Sequence, residues 1–226
     1  FLGMATRKST TPLKEYILPF LDYCEIEKGL SSNTQRNYQQ YLNLFVKWLV
    51  VNKTPDLLPH ELTPEHIWEY RLYIARTYKT PRDENLSKKS QNYYLIALRM
   101  FLKYLMKRSI TALSPDKIEL AKVKERSLDL ITVDELFRMI NATKGEEIKN
   151  VRDHAILQLF FSTGLRLSEL CSLNRDLDLS RDEFSIRGKG EKVRVVFLSD
   201  TAKDAIRAYL TKRKDMDEPL FAELSS

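Results

Sequence analysis

Apolar residues over the first hundred positions recur with the period of a helix rather than of a strand. Tyr38, Tyr41, Leu42, Phe45, Trp48 and Leu49 form one wide helical stripe. Ser32-Asn33-Thr34-Gln35 just before them has the S-x-x-Q form of a capping box, a reciprocal pairing of side chains with unpaired backbone N–H groups. Thr63-Pro64-Glu65 predicts another start, with Thr as cap, Pro in the first turn and an acid near the positive end of the helix dipole; Ile67, Tyr70, Leu72 and Ile74 continue it. Ser87 opens a third strong helix, whose face carries Tyr94, Leu98, Phe101, Leu102 and Leu105. A shorter helix from Leu13 to Lys28, stopped by Gly29, precedes them. Four amphipathic helices of this size predict a compact bundle over residues 9–108.

The pattern weakens between about Lys107 and Arg126. Ser114-Pro115-Asp116 is a turn signal among scattered basic residues, so 109–126 reads as an interdomain linker. A second domain is expected over 127–226. Thr132-Val133-Asp134-Glu135 is a capping box; Val151 to Ser162 is so apolar that it reads as a buried helix; Gly164 suits a left-handed stop, and Leu167 to Leu173 a short helix. The period then changes. Phe184 and Ile186 alternate with polar residues, as do Val193, Val195 and Phe197, around Gly188-Lys189-Gly190-Glu191-Lys192: a β-hairpin with a lysine in its turn. A helix from Thr201 to Lys214 follows, and the tail after Asp215 starts a new element. The sequence shows no internal repeat. The fold class expected is mainly α with one small hairpin.

Composition narrows the setting. Residues 1–8 look like a disordered tag remnant ahead of and around Met4, without the build of a secretory signal. No apolar run is long enough to cross a bilayer, so a cytoplasmic location is the expectation. Cys24 and Cys171 read as two buried, reduced thiols. The three histidines lie in separate elements, with no metal spacing. The net charge of +6 favours an anionic partner without identifying one.

Two segments carry candidate chemistry: Ser162-Thr163-Gly164-Leu165-Arg166-Leu167-Ser168-Glu169-Leu170 and Arg187-Gly188-Lys189-Gly190-Glu191-Lys192-Val193-Arg194. Arg166 follows a glycine turn at the start of a helix, where a guanidinium beside free N–H groups suits a phosphate. Glu169, one turn on, is placed to orient it. Lys189 sits between two glycines at a hairpin tip, able to push one ammonium group toward a leaving oxygen. Singly, an arginine after glycine is often only a surface residue and a GKG turn only a hairpin. In this order, about two dozen residues apart with an apolar helix before them, they form a constellation.

Those two segments resemble the tyrosine recombinases, the integrase group that includes the Xer proteins, and the likeness extends over most of the chain. It implies an N-terminal SAM-like core-binding domain followed by the first part of an α+β catalytic domain. It also implies a clamp around duplex DNA, cleaved by a tyrosine without metal or cofactor. By resemblance Arg166 binds the scissile phosphate, Lys189 is the general acid for the leaving 5′ oxygen, and Glu169 supports the arginine. Thr34, Arg36, Asn37, Lys88, Lys89, Ser90 and Asn92 lie on or near the polar faces of the two helices expected to enter the major groove, and Arg187, Lys192 and Arg194 add DNA contacts from the hairpin.

The family's later features, a His-x-x-Arg segment and a late nucleophilic tyrosine, do not occur among the 226 residues, and Tyr209 comes too early in the order to be that nucleophile. The expectation is a fragment that binds double-stranded DNA, is monomeric in solution and does not cleave, from a protein that works as a homo- or hetero-tetramer on DNA. A non-catalytic site-occupying protein on the same scaffold and a type IB topoisomerase are the alternatives.

Overall fold

The structure is a computed structural model of the chain, describing residues 7–123, 129–188, 190 and 192–222. It divides into two units, Phe1–Arg126 and Ser127–Ser226. The expected leader (residues 1–6 of it), the expected start of the second domain at 127, and Lys189 and Glu191 lie outside the described residues.

In the first unit a 3-10 turn, Leu13–Tyr16, leads into α1 (Ile17–Ile26), followed by α2 (Ser32–Val51), α3 (Pro64–Leu72) and α4 (Lys88–Lys107). A π-helical turn, Tyr73–Thr77, ends α3. Their apolar stripes meet in one core where Phe20, Leu42, Phe45, Leu49, Tyr70, Phe101, Leu102 and Leu105 are all buried. The rings lock edge-on, Phe20 against Phe101 at 5.6 Å and Phe45 against Tyr70 at 5.1 Å between centroids. Such pairs add about 0.5–1.5 kcal/mol each to the burial of their area.

The start of α2 differs from the expected box by one residue. Its cap is Ser31, whose Oγ accepts from the Thr34 N–H, and Gln35 Nε2 donates to the Leu30 carbonyl at 2.8 Å. The start of α4 repeats this atom for atom: Ser87 Oγ accepts from Ser90 N–H at 3.1 Å, and Gln91 Nε2 donates to the Leu86 carbonyl at 2.8 Å. Leu-Ser-x-x-Ser/Thr-Gln therefore opens both 20-residue helices, a recurrence confined to the cap.

Much of the stretch read as a linker is packed onto this unit. Ile110 and Ile118 are buried in its core. Thr111 N donates to the Arg7 carbonyl and Arg7 N to Ser109, so Arg7 is paired rather than part of a loose leader.

The second unit holds α5 (Val133–Ala142), α6 (Ile148–Thr163), α7 (Leu167–Cys171), β1 (Glu183–Arg187), β2 (Val193–Phe197) and α8 (Asp200–Lys212). Thr132 and Glu135 form the expected capping box. Gly164 ends α6 at φ +61°, the left-handed conformation that favours glycine. The two strands pair antiparallel, with Phe184 opposite Val196 and Ile186 opposite Arg194. After α8 the tail folds back. Leu220 is buried and donates its N–H to Leu173, while the Arg213 guanidinium grips Asp215 and the carbonyls of Asp217, Pro219 and Leu220.

Three expectations need correcting. α6 buries only Ala155 and Leu159, and Phe161 is 55% exposed, because among the described residues only one side of the helix is covered. On β2 the inward face carries Arg194 and Val196, while Val193, Val195 and Phe197 point outward. Cys171 is exposed; only Cys24 is a buried thiol, pushed up to about 11 by burial. Among the described residues no helix is long and apolar enough to cross a membrane.

Candidate phosphate site and nucleic-acid interface

Leu165 drops into the core after the Gly164 turn, which lifts Arg166 onto the surface as the cap residue of α7. Its φ/ψ of −75°/155° leave its own N–H outside the helix ladder, and that N–H donates to Glu169 Oε2 at 2.7 Å. Arg166 Nη1 reaches Glu169 Oε1 at 2.9 Å. Glu169 itself is buried, at 5% exposure, and a buried carboxylate needs charged partners. A second arginine supplies them: Arg194 Nη1 bonds Oε1 at 2.7 Å and Nη2 bonds Oε2 at 2.8 Å. The Arg194 hydrogen bonds, then the Arg166 N–H and side chain, hold the Glu169 carboxyl well below the usual carboxylate range against the opposing effect of burial. The Arg166 side chain remains 65% exposed. Two guanidinium groups on one carboxylate leave a net positive site with its outer arginine open to an anion.

The hairpin closes beside this cluster. Gly188 N donates to the Lys192 carbonyl at 2.8 Å, and Gly190 turns the chain at φ +73°. A Cβ on Gly188 would stand 3.1 Å from Glu169 Oε1 and 3.3 Å from Arg194 Nη1, so a side chain there would press on the pair by a few tenths of an ångström. Lys189, the expected general acid, lies between these glycines but outside the described residues. Arg187 and Lys192 are exposed on the hairpin. Arg194, expected to contact DNA, directs one N–H of each terminal nitrogen to Glu169.

The first unit gathers most of its expected residues at two helix starts. Lys88 and Lys89 are exposed in the first turn of α4, and Ser90 pairs with the cap Ser87. Neither α2 nor α4 has an acid in its first turn. Lysines there oppose the helix dipole, a cost that a bound anion removes. On α2, Thr34 pairs with the cap Ser31, and Arg36 and Asn37 are exposed. Arg36 lines an open groove of about 330 Å³ with Gln39, Gln40, Asn43 and Lys47. Asn92 does not join them. Its Nδ2 donates to the Ala121 carbonyl at 2.8 Å and its Oδ1 accepts from the Ala121 N–H at 3.0 Å, so both ends of the amide clamp the chain after Ile118.

Sequence reasoning placed the start of α4 at Ser87 but missed Ser31 as the cap of α2, Gln91 and the Arg194 clamp. The signal for the first two was the repeated Leu-Ser-x-x-Ser/Thr-Gln; the third left no local signal, because the more apolar parity of β2 is the one that faces outward. Two of the three histidines have structural partners: His66 caps α3 with Thr63, and His154 pairs with Thr143. Tyr209 is fully buried and its hydroxyl accepts from Ala222 N–H.

A helical first unit and a glycine-turn arginine answered by a hairpin define a class, and comparison with known proteins gives it a name. Residues 17–109 match the phage integrase N-terminal SAM-like domain and residues 129–225 the phage integrase family. The chain belongs to that family, the tyrosine recombinases. Its relatives include tyrosine recombinase XerC of Thermodesulfovibrio yellowstonii, 34% identical over 217 residues that cover 91% of this chain and 68% of the relative. Another is XerC of Syntrophus aciditrophicus, 32% identical over 209 residues, 89% of this chain and 65% of the relative. The chain thus spans about two thirds of their length. Solved structures share the fold: XerH bound to a difH substrate before cleavage (TM-score 0.63, 16% identity, 98% of this chain and 77% of that one) and a lambda integrase tetramer on a Holliday junction (TM-score 0.61, 18% identity, 88% and 56%).

Proposed function

We propose that this chain is the DNA-holding portion of an Xer-type site-specific recombinase. The observation that carries the reading is Arg166, an exposed guanidinium fixed through a buried carboxylate at the start of α7. In this reading Arg166 binds the scissile phosphate and offsets the charge that builds on its oxygens as the bond order changes. A tyrosine hydroxyl releases its proton to solvent and attacks phosphorus, the bond to the 5′ oxygen breaks, and Lys189 supplies the proton that oxygen takes up. The product is a 3′-phosphotyrosyl bond, whose reversal rejoins the strand. Tyr209 is buried and does not serve as that nucleophile; in this reading the residues given grip duplex DNA without cutting it. In the first unit Lys88, Lys89, Ser90, Thr34, Arg36 and Asn37 face the duplex; Arg187 and Lys192 add contacts from the hairpin. The working protein assembles as a tetramer on DNA, the state described for lambda integrase on its junction, and this chain alone is a monomer.

The test is a duplex-binding titration over a salt series, run beside incubation with a nicked suicide substrate. Affinity should fall steeply as salt rises, each neutralised phosphate adding about 0.9 to the logarithmic slope, and no covalent adduct should form. Binding that ignores salt would remove the DNA reading; a covalent adduct would show that these residues cut as well as grip. In a chain that also carries the later boxes, Lys189→Ala should slow cleavage far more than binding, and a bridging 5′ sulfur, which leaves without a proton, should restore it.

A further inference from the structure

The two arginines on Glu169 hold it in different ways. Arg194 grips both carboxylate oxygens as a two-pronged fork, whereas Arg166 touches one with its side chain and the other with its backbone. We propose that Arg194 is a positioning residue, which sets the plane and charge of Glu169 from the hairpin and thereby holds Arg166 in place for a phosphate. The inference rests on the functional reading above for what Arg166 binds, and on geometry alone for how it is held.

Four observations support it. Arg194 lies on the inward face of β2, opposite Ile186 and in step with buried Val196, so it is aimed at the core side of the hairpin. Glu169 is nearly sealed from water, so its oxygens answer to protein donors. Oε1 takes Nη1 of both arginines, at 2.7 and 2.9 Å, so moving one disturbs the other. Gly188 lets the hairpin backbone come within van der Waals reach of the pair.

Charge favours the same division of labour. Glu169 alone would cancel Arg166 and blunt its pull on an anion; with Arg194 present, the cluster keeps one net positive charge. A lysine at 194 would keep the charge but not the fork, because an ammonium cannot engage both oxygens in one plane.

The test uses the present chain with Arg194→Lys, Arg166→Ala, the double variant and Gly188→Ala, each bound to a duplex oligonucleotide and each checked for helical content. Arg194→Lys should weaken binding about tenfold, as Arg166→Ala does, and the double variant should be no weaker than Arg166→Ala alone. Gly188→Ala crowds the pair without removing any charge and should give the same loss, so a misfolded Arg194→Lys does not end the test. If Arg194 instead touched phosphate directly, lysine would serve nearly as well and Arg194→Lys would bind like the wild type; that result overturns the proposal. A readout without DNA separates it from the functional reading. The Glu169 carboxyl carbon, followed by NMR, should titrate well below the usual range in the wild type and climb toward it in Arg194→Lys. A titration unchanged by that substitution would refute the positioning role even if the chain binds DNA, whereas a chain that does not bind DNA would refute the functional reading alone.

Discussion

Glu169 and Asn92 show how a side chain's partners, rather than its type, set its task. Glu169 has a lowered pKa in the folded chain and an ordinary one, about 4.3, when unfolded. Its contribution to stability is therefore complete above pH 4.3 and is lost as pH falls toward its folded value. Glu169→Gln should lower the urea midpoint at pH 7, and the gap to the wild type should narrow by pH 3; a constant gap would show that the charge plays no part. Asn92, expected to read bases, spends both ends of its amide on Ala121. Asn92→Ala should cost about 1–3 kcal/mol by stranding that backbone pair. It should speed hydrogen exchange at Ala121 and leave duplex affinity within about twofold, less than one lost base contact of about 1–3 kcal/mol.

At the scale of elements, the cap register and the strand face each allow a decisive comparison. Ser31 caps α2, so Ser31→Ala should destabilise by about 1 kcal/mol while Ser32→Ala stays within about 0.5 kcal/mol. The reverse order would restore the box read from the sequence. On β2, Val196→Ala should cost about 1–3 kcal/mol and Phe197→Ser much less, since Val196 is 5% and Phe197 68% exposed. The start of α4 sets stability against binding. Replacing Lys88 and Lys89 with Glu relieves the clash with the helix dipole, by about 0.3–1 kcal/mol each, and removes two cations from the surface. Thermal stability should rise while duplex affinity falls and its salt slope drops by about two. A gain in stability with unchanged binding would move the DNA face elsewhere.

The whole molecule is two units with unequal cores. The first packs Phe20, Phe45, Trp48, Tyr70 and Phe101 against one another, while the described core of the second has Tyr209 as its buried aromatic and leaves Phe137, Phe161 and Phe197 largely exposed. Domains with separate cores need not unfold together. Calorimetry should resolve two transitions, and amides of α5 to α8 should exchange before those of α2 and α4. A single transition shared by all probes would show that the units are energetically coupled.

The sequence by itself determined the element order, the bundle of the first unit, the box at Thr132, the Gly164 stop, the hairpin and the pairing of Arg166 with Glu169. These follow from periodicity, from caps and from contacts three or four residues apart, which a chain specifies locally. Tertiary structure alone decided which parity of β2 faces inward, that Asn92 clamps the chain at Ala121, and that Arg194 completes the Glu169 cluster from 25 residues away. In β2 the more apolar parity reads as the buried one, yet the fold turns Arg194 inward. A buried carboxylate on another element compensates its charge there, and no local pattern along one strand records the position of a counter-ion on another.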